Sequence, residues 1–471
     1  MSLPGTSEHP LRVAVVGAGP AGFFVTEHLL ARDDLRVQVD MFERLPTPYG
    51  LVRLGVAPDH QKIKSVTRSF DKAAARAGFR FFGNVELGRH VTLDDLRAHY
   101  HQIVFTTGAQ TDRPLGISGE DLERSHAATE FVAWFNGHPD YRGCTFDLSV
   151  KRVAIVGVGN VAVDVARVLC RTPEELSKTD ITDYAEEALS ASGIEEVYML
   201  GRRGPAQAAF TNPEVRELGE LPGADTMALP NEVELDPLSR EDVERENDRT
   251  VNKKLEILRG FAAQQLTGKP RRLILRFLVA PVELVDDGTG GVGGMRIVEN
   301  ELVRDEGGTL RPRATGRFEE LPVQLVFRSV GYRGVALDGL PFHDAWGIVP
   351  NDHGRVLVKG DAPLLGVYVA GWIKRGPTGV IGTNKPDAAE TVEAMLADLA
   401  RGHLLAPAHP AAESVDALVR SRQPHPVSFA DWQRLDVLEV ERGRPVGRPR
   451  VKFTTVEEIL EALGKGPRLN I

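Results

Sequence analysis

The chain has 471 residues, 42% hydrophobic and 26% charged, which is typical of a globular protein with two or three domains. It carries 57 Lys and Arg against 66 Asp and Glu, and this net charge of −9 disfavours bulk nucleic-acid binding. No apolar run approaches the ~20 residues that span a bilayer, and the N-terminus resembles neither a secretory signal nor a transit peptide. We therefore expect a cytoplasmic protein that does not enter a membrane.

The two cysteines do not form a redox centre of their own. Cys144 and Cys170 make no CxxC pair, which excludes a dithiol centre, a zinc ribbon and a cysteine-ligated iron–sulfur cluster. An enzyme of the thioredoxin-reductase kind is excluded for the same reason. Any redox chemistry therefore needs an organic cofactor, and we expect no metal site.

The first predicted unit is a strand, a glycine motif and a helix. The strand LRVAVV (11–16) leads into GAGPAG, and a second strand ends at Glu43, about twenty residues past the last glycine. Gly17 permits a tight turn, Gly19 lets the backbone approach a pyrophosphate, and Gly22 allows close helix–strand packing. The helix N-terminus offers free N–H groups to the anion, and Glu43 would accept hydrogen bonds from ribose hydroxyls.

A second unit of the same kind begins at Arg152. Its strand RVAIVG leads into the motif GVGNVA, in which Ala162 replaces the third glycine. The next strand, EEVYMLG, is followed by Arg202 and Arg203 where the first unit has an acid. Guanidinium groups match a 2′-phosphate, which a carboxylate would repel, so this unit favours NADP over NAD. Two sites with different charges predict FAD in the first unit and NADP(H) in the second.

The remaining segments complete these units. A strand over 102–109 closes the first, and strand-like runs in 270–330 are expected to continue the sheet of the second. The chain then returns to the first unit through a strand over 367–372. A helix from about 387 to 399 follows, and its N-terminus could stabilise a reduced flavin. The segment 405–471, with a terminal helix near VEEILEALG, is expected to be a surface extension.

Several long motifs resemble the adrenodoxin-reductase type of ferredoxin–NADP reductase. The resemblance extends from about residue 11 to 400. It is carried by GAGPAG (17–22), LPTPYGLVRLGVAPDHQKIK (45–64), GVGNVAVD (157–164), GRRGPAQAAFT (201–211), SVGYRG (329–334) and GWIKRGPTGVIGTN (371–384).

The resemblance implies an α/β fold with two Rossmann-like dinucleotide-binding domains. An NADP domain, residues 113–334, would be inserted into an FAD domain made of residues 1–112 and 335–471. It also implies the reaction, in which NADPH gives a hydride to N5 of FAD and the flavin passes single electrons to a ferredoxin.

The resemblance further implies the cofactor contacts. Those to FAD would come from the first glycine motif, the acid after it and later segments: Gly17, Gly19, Pro20, Ala21, Gly22, Glu43, Leu51, Val85, Trp372, Gly379, Val380 and Ile381. Those to NADP would come from Arg113, Gly159, Asn160, Val161, Ala162, Arg202, Arg203 and Glu214, with Gly379 also at the nicotinamide end.

His60, the one histidine inside the flavin-side motif, is the predicted catalytic helper. An ordinary pKa near 6.5 suits an imidazole to proton exchange at neutral pH. Glu217 is its predicted partner across the domain cleft, and the pair would position the nicotinamide or relay a proton. The alternative is a purely structural histidine.

The electron acceptor is expected to be a small acidic ferredoxin. A basic stretch, of which Arg249 and Lys253 lie four residues apart on one helix face, could bind it. The predicted docking residues are Arg249, Lys253, Lys254 and Arg259. Acidic residues nearby leave open an ordinary solvated surface. Two other functions also stay open: an NADPH–quinone diaphorase, and a redox-sensing nucleotide-binding module without turnover.

Overall fold

The structure, a computed structural model, describes residues 3–466. Its strands, numbered in chain order, are β1 (Leu11–Val16), β2 (Val37–Glu43), β3 (Phe79–Gly83), β4 (Gln102–Phe105), β5 (Thr111–Asp112), β6 (Ser125–Ala127), β7 (Arg152–Val156), β8 (Glu196–Gly201), β9 (Ala224–Ala228), β10 (Arg271–Phe277), β11 (Val279–Asp286), β12 (Val292–Arg304), β13 (Leu310–Leu321), β14 (Leu325–Arg328), β15 (Tyr332–Arg333), β16 (Asn351–Asp352), β17 (Arg355–Leu357) and β18 (Pro363–Val369).

The α-helices are numbered in the same way. They are α1 (Pro20–Leu30), α2 (Leu51–Leu54), α3 (Gln61–Lys64), α4 (Thr67–Ala74), α5 (Leu93–His99), α6 (Ala128–Asn136), α7 (Asn160–Cys170), α8 (Pro173–Leu176), α9 (Asp183–Ser190), α10 (Asn212–Leu218), α11 (Pro230–Val233), α12 (Pro237–Glu246), α13 (Arg249–Ala263), α14 (Trp372–Arg375), α15 (Asn384–Ala400), α16 (Ala412–Arg422), α17 (Phe429–Gly443) and α18 (Val456–Ala462).

A seven-stranded sheet takes its strands from both ends of the chain, in the order β16-β17-β18-β4-β1-β2-β3. The strands β18, β4, β1, β2 and β3 are parallel, whereas β16 and β17 form an antiparallel edge. Every residue of β1 is buried, which explains its unbroken apolar sequence, since helices cover both faces of a parallel sheet. The predicted return of the chain to the first unit is thus observed in the pairing of β18 with β4.

A second, six-stranded sheet uses the middle of the chain, in the order β6-β14-β7-β8-β10-β9, and all its pairs are parallel. The two glycine motifs follow the strands β1 and β7, one in each sheet. The predicted α/β class with two dinucleotide-binding units is confirmed.

The prediction for residues 270–330 was wrong in part. The strands β10 and β14 join the six-stranded sheet, but β11, β12 and β13 form a separate antiparallel sheet. The chain changes direction at Leu278, whose φ of +57° lies in the left-handed region. In β12 buried and exposed residues largely alternate, as expected for an antiparallel strand with one solvated face.

The C-terminal segment is not the surface extension expected from its composition. The helix α17 buries Trp432 and Leu435 in the same core cluster as β1 and α1. Its Glu439, 0% exposed, accepts two hydrogen bonds from the guanidinium of Arg53, at 2.8 and 2.5 Å. The predicted terminal helix is present as α18. Across residues 3–466, no helix has both the length and the apolar character needed to cross a bilayer.

Candidate active site

The first glycine motif shows which glycines the protein's own backbone requires. Gly17 has a φ of +109°, and a Cβ on it would lie 2.7 Å from the carbonyl oxygen of Thr106. A Cβ on Gly22 would lie 2.2 Å from the carbonyl oxygen of Gly17. A Cβ on Gly19 would meet no atom within 4 Å, although the residue immediately precedes α1. The open space beside Gly19 therefore fits the approach of a pyrophosphate to the helix N-terminus.

Glu43 stands at the end of β2, where the sequence placed the ribose-binding acid. Its carboxylate accepts hydrogen bonds from the N–H groups of Ala18, at 2.9 Å, and Leu45, at 3.1 Å. Burial raises the pKa of Glu43 above its usual value, and these two N–H groups partly oppose the shift. Each carboxylate oxygen can still accept a further hydrogen bond, so the residue fits the role of a ribose ligand.

Other predicted FAD contacts surround this edge of the sheet. Pro20 is the first residue of α1, and a Cβ on Gly371 would lie 2.6 Å from the Cβ of Ala21, so the segment after β18 touches the motif. Leu51 begins α2 and is partly exposed. The N–H of Val85 donates to the carbonyl of Glu43 at 2.9 Å. Because Val85 is buried, only a small part of its surface is accessible for a contact with FAD.

The segment after β18 folds back upon itself. The indole Nε1 of Trp372 donates to the carbonyl of Thr378 at 3.1 Å, and its ring lies 5.3 Å from that of Tyr332. Gly379 has a φ of +77°, which favours glycine there. Val380 is 50% exposed and Ile381 is partly exposed, directly before α15. This loop thus presents backbone groups and an apolar side chain beside the first glycine motif, as a flavin site requires.

The second glycine motif follows the same logic. Gly157 has a φ of +139°, and a Cβ on it would lie 2.2 Å from the carbonyl oxygen of Ser329, whereas a Cβ on Gly159 would meet nothing within 4 Å. Asn160 begins α7, and its side-chain oxygen accepts from the N–H of Thr211 at 2.9 Å. The methyl group of Ala162 is fully buried in the core, which explains why alanine is tolerated there. Val161, between them, remains partly exposed.

The twin arginines directly follow β8. In the part of the chain that the structure describes, neither side chain forms a hydrogen bond or an ion pair. Burial lowers the pKa of Arg203, and the charges of Arg202 and Arg311 lower it further. The main chain is nonetheless fixed, because Asn300 Nδ2 donates to the Arg202 carbonyl at 3.0 Å and the Leu278 N–H donates to that of Arg203 at 3.1 Å. Both guanidinium groups are therefore available to bind a phosphate.

Two contributors to this site were not predicted. Arg311 and Asn300 belong to the antiparallel sheet, about a hundred residues beyond the arginine pair, and no local motif marks them. Arg113, which was predicted, is exposed, and its N–H donates to the carbonyl of Gly331 at 3.0 Å.

The predicted pair of His60 and Glu217 is in contact. His60 Nε2 lies 2.9 Å from a carboxylate oxygen of Glu217, although the two residues are 157 positions apart. Glu214, on the same helix α10, has a carboxylate oxygen 3.7 Å from His60 Nε2. The His60 side chain is 9% exposed and that of Glu217 39%, so this contact joins the flavin-side motif to the second unit at the edge of solvent.

A buried arginine, which the sequence did not single out, organises the groups around His60. The guanidinium of Arg167, fully buried on α7, donates to Asp59 at 2.7 Å, to Asp164 at 2.8 Å and to Glu214 at 3.2 Å. Asp164 belongs to the second motif, and Arg167 follows it by one helical turn. The spacing of Asp164 and Arg167 could have predicted their ion pair from the sequence, whereas the partner Asp59 lies 108 residues away.

This cluster carries more negative than positive charge. Four carboxylates, Asp59, Asp164, Glu214 and Glu217, share the guanidinium of Arg167, and Arg171 binds Asp59 as well. Burial raises the pKa of Asp164 to about 7. The charge of Arg167 lowers this pKa, and the neighbouring carboxylates of Glu214 and Asp59 partly cancel that effect. Burial also works against ionisation of Asp59, but Arg167 and Arg171 more than offset it and lower its pKa. Asp164 therefore titrates close to neutral pH, whereas Asp59 stays ionised.

The same residues do not favour a metal ion. His60, Glu214 and Glu217 have potential ligand atoms within 4.8 Å of one another. The guanidinium of Arg167, however, lies 3.2 and 3.4 Å from the two carboxylates, and its charge opposes a cation between them.

One predicted docking residue lies in the wrong place. Arg249, Lys253 and Arg259 are exposed on α13, as expected. Lys254 is only 7% exposed, its Nζ donates to the carbonyl of Ala208, and it lies over the ring of Phe210. The reason is that Lys254 lies four residues before Leu258, on the apolar face of the helix. It cannot take part in docking.

The two glycine motifs, the acid after one and the arginines after the other define an oxidoreductase that uses FAD and a pyridine nucleotide. Residues 11–200 match the sequence model of a family described as pyridine nucleotide-disulphide oxidoreductase. An NADPH-ferredoxin reductase, FprA, of Mycobacterium tuberculosis is 46% identical over 96% of this chain and 98% of its own length. The mitochondrial NADPH:adrenodoxin oxidoreductase of Bos taurus is 41% identical over 98% of this chain and 93% of that protein.

A solved structure agrees with these sequence matches. That of Mycobacterium tuberculosis FprA in complex with NADPH superposes with a TM-score of 0.90 at 45% identity, covering 96% of this chain and 99% of that one. The chain belongs to the NADPH–ferredoxin reductase family, which confirms the resemblance seen in the sequence motifs. It is an FAD- and NADP(H)-dependent oxidoreductase.

Proposed function

We propose that this chain passes electrons between NADPH and a ferredoxin by way of bound FAD. The observation that carries the proposal is the 2.9 Å contact between His60, in the flavin-side motif, and Glu217, in the second unit. Because the contact joins the flavin-side motif to α10 of the second unit, we take it as the place where the reactive ends of the two nucleotides would meet. When bound, FAD supplies the ability to accept a hydride and to release electrons one at a time.

The residues that would hold FAD fit the group. The open backbone at Gly19 and the N-terminus of α1 suit its pyrophosphate, and Glu43 suits its ribose. Trp372 and the loop 379–381 suit the flavin end, beside the N-terminus of α15. The positive end of that helix dipole would stabilise negative charge there.

The residues that would hold NADP(H) fit as well. The pyrophosphate would lie at Gly159 and the first turn of α7, and the 2′-phosphate between Arg202 and Arg203. Glu214 and Arg113 are further contacts, and Gly379 would touch the nicotinamide end.

His60 and Glu217 would position the nicotinamide or relay a proton. The carboxylates around Arg167 create a net negative environment, which would stabilise a positive charge on an oxidised nicotinamide ring. We assign to Arg167 the role of holding Asp59 and Glu214 in place, so that His60 faces Glu217.

We also propose the domain boundaries, with the NADP domain spanning residues 113–334. The six parallel strands between Ser125 and Arg328 support this division, since both flanks of the chain build the other sheet. Location in the cytoplasm stays a prediction.

For the acceptor we propose a small acidic ferredoxin that docks on the exposed side chains of Arg249, Lys253 and Arg259. Charge attraction of this kind raises the association rate and weakens with salt. Reversing Lys253 and Arg259 to Glu should slow ferredoxin reduction at low salt and leave flavin reduction by NADPH unchanged. The control is Lys359→Glu, an exposed lysine of the other unit. If the control and the double variant behave alike, this docking site is wrong.

The experiment that tests the activity is NADPH-driven cytochrome c reduction by the FAD-loaded protein, with and without a small acidic ferredoxin, at low and high salt. Stimulation by ferredoxin that fades with salt supports the proposal. Equal rates without ferredoxin would indicate a diaphorase, and an oxidised flavin under NADPH would indicate a nucleotide-binding module without turnover.

The role of His60 is tested separately by His60→Gln, which we expect to slow flavin reduction by NADPH. The exposed His353→Gln serves as the control. Unchanged reduction by His60→Gln would contradict the role.

A further inference from the structure

A buried carboxylate outside the site described above joins three parts of the chain. Asp180 lies between α8 and α9 and is 2% exposed. It accepts two hydrogen bonds from Lys64 Nζ, at 2.6 and 2.9 Å, and its other ion-pair partner is Lys452 Nζ, at 3.5 Å. Lys64 is the last residue of α3, and Lys452 belongs to the C-terminal segment.

Lys64, Asp180 and Lys452 form a buried triad in which each charge is stabilised by the opposite charge beside it. Burial lowers the pKa of Lys64 and, more strongly, that of Lys452, while the Asp180 carboxylate opposes both shifts. Burial also works to raise the pKa of Asp180, but the two ammonium groups outweigh it and bring the value to about 2. Without the carboxylate, two buried ammonium groups would face each other with no anion between them.

Asp180 holds the segment that carries His60 at both ends. Its side chain binds Lys64 at the C-terminal end of α3, and its own N–H donates to the carbonyl of Pro58 at 3.4 Å. His60 lies between these two points, directly before α3. Asp180 therefore binds both ends of the stretch 58–64, from which His60 reaches Glu217. Within this stretch, Arg167 and Arg171 hold Asp59.

The C-terminal segment fixes Asp180 in turn. Arg448 donates to the carbonyl of Thr179, at 3.0 Å, and to that of Ile181, so it binds the main chain on either side of Asp180. Lys452 adds a hydrogen bond to the carbonyl of Asn136, at 3.1 Å. The segment 448–452 thus holds the loop 179–181 through two backbone carbonyls and one carboxylate.

We infer that Asp180 is a positioning residue for hydride transfer, and that the C-terminal segment 448–452 acts on the reaction through it. The inference rests on the proposed function, because it takes His60 and Glu217 as the place where the nicotinamide binds. A shift of stretch 58–64 would move His60 relative to Glu217, and displacements near 1 Å can cost about 100-fold in rate.

The test is Asp180→Asn in the full-length, FAD-loaded protein, with the rate of flavin reduction by NADPH measured by stopped flow. We expect a decrease of about 10–100-fold. The kinetic isotope effect with NADPH deuterated at the transferred position should rise, because misplacement makes the chemical step slower than binding. Oxidation of the dithionite-reduced protein by ferricyanide should not change, since no nicotinamide takes part.

A matched control separates positioning from lost stability. Glu232→Gln removes another buried carboxylate from a positive partner, Arg276, without touching stretch 58–64. It should lower the melting temperature and leave hydride transfer unchanged. An Asp180→Asn protein with lowered stability but wild-type hydride transfer and isotope effect would overturn the inference.

A second variant covers the case in which Asp180→Asn does not fold. Lys452→Met keeps the pair of Lys64 and Asp180 and the contacts of Arg448, and it removes the ion pair of Lys452 with Asp180 and its hydrogen bond to the Asn136 carbonyl. We expect a smaller decrease in hydride transfer with the same rise in isotope effect, and no change in either would overturn the action of the segment through its charge on Asp180. Failure of the proposed function would show differently, as an absence of NADPH-dependent flavin reduction in the wild-type chain itself.

Discussion

The selection of NADPH over NADH should depend on Arg203. The perturbation is Arg203→Gln, which keeps a long polar side chain but removes the guanidinium charge. The carbonyl of this residue is held by Leu278, so the main chain should stay in place. Only the interaction with the 2′-phosphate should be lost.

The expected rise in the Kd for NADPH follows from the lack, among the described residues, of carboxylate partners that would compete with the 2′-phosphate. Within residues 3–466 no carboxylate pairs with Arg202 or Arg203, and the charges of Arg202 and Arg311 already lower the pKa of Arg203. A phosphate would therefore bind two guanidinium groups, those of Arg202 and Arg203, that no carboxylate in this part of the chain engages. Hydrogen bonds to charged groups contribute about 1.5–3 kcal/mol each, which converts to a rise of roughly 10–150-fold in the Kd for NADPH.

The assay is flavin reduction followed by stopped flow over a range of NADPH and NADH concentrations. The Kd for NADPH should rise by the stated factor, while the Kd for NADH, which has no 2′-phosphate, should change less than about twofold. The wild-type preference should also weaken with added salt. Arg97→Gln, at a partly exposed arginine of the first unit, is the control for a general charge effect.

One result would refute this reasoning. If Arg203→Gln weakens NADPH and NADH by the same factor, the arginine supports the fold or the pyrophosphate site and does not read the 2′-phosphate.

Three further predictions follow from the structure. Gly19→Ala and Gly159→Ala should both fold, since their added methyl groups would meet no protein atom within 4 Å. Gly19→Ala should lose bound FAD, which flavin absorbance measures. Gly159→Ala should keep FAD and lose only affinity for NADP(H), which a titration measures. Glu439→Gln should cost about 3–5 kcal/mol of unfolding free energy in a denaturant titration, because it leaves the charge of Arg53 buried; a cost below about 1 kcal/mol would contradict this. The pKa of Asp164 is about 7 in the fold and near 3.9 unfolded, so the fold binds the extra proton and loses stability as the pH rises through this range. Asp164→Asn should therefore be more stable than wild type at pH 8, with a gain that shrinks towards pH 5; a gain independent of pH would be evidence against the shifted pKa.

The parts of the site that could be predicted from the sequence are local. A glycine motif contains, within six residues, three positions that each need a very small residue for a different backbone reason. The acid or arginine after the next strand lies at a nearly fixed distance from the motif along the chain. The positions of Glu43, Arg202 and Arg203 could therefore be predicted. The contact of His60 with Glu217 could be predicted only from the family resemblance, since no spacing rule joins residues so far apart.

The parts that could not be predicted depend on tertiary packing. Arg167 resembles any arginine on an amphipathic helix until the fold brings Asp59 to it. Composition suggested a surface role for residues 405–471, but the burial of Trp432 and Leu435 depends on a surface that α1 and α4 create together. Lys254 is different, because its spacing from Leu258 and Phe261 already placed it on the apolar face of α13.

The two crossings between the sheets have a consequence for how such a protein can be assembled. β5 leaves the first unit and β15 returns to it, and the two are antiparallel neighbours, with Asp112 opposite Tyr332 and Thr111 opposite Arg333. Paired Cα atoms in such a ribbon lie about 5 Å apart, so the middle of the chain enters and leaves at a single point. A short linker could replace it without stretching the remaining chain, and the excised portion would have adjacent ends. Because the two crossings are adjacent, inserting or removing the middle of the chain changes the backbone of the first unit at one point only. This junction is therefore the natural place to exchange one nucleotide-binding unit for another.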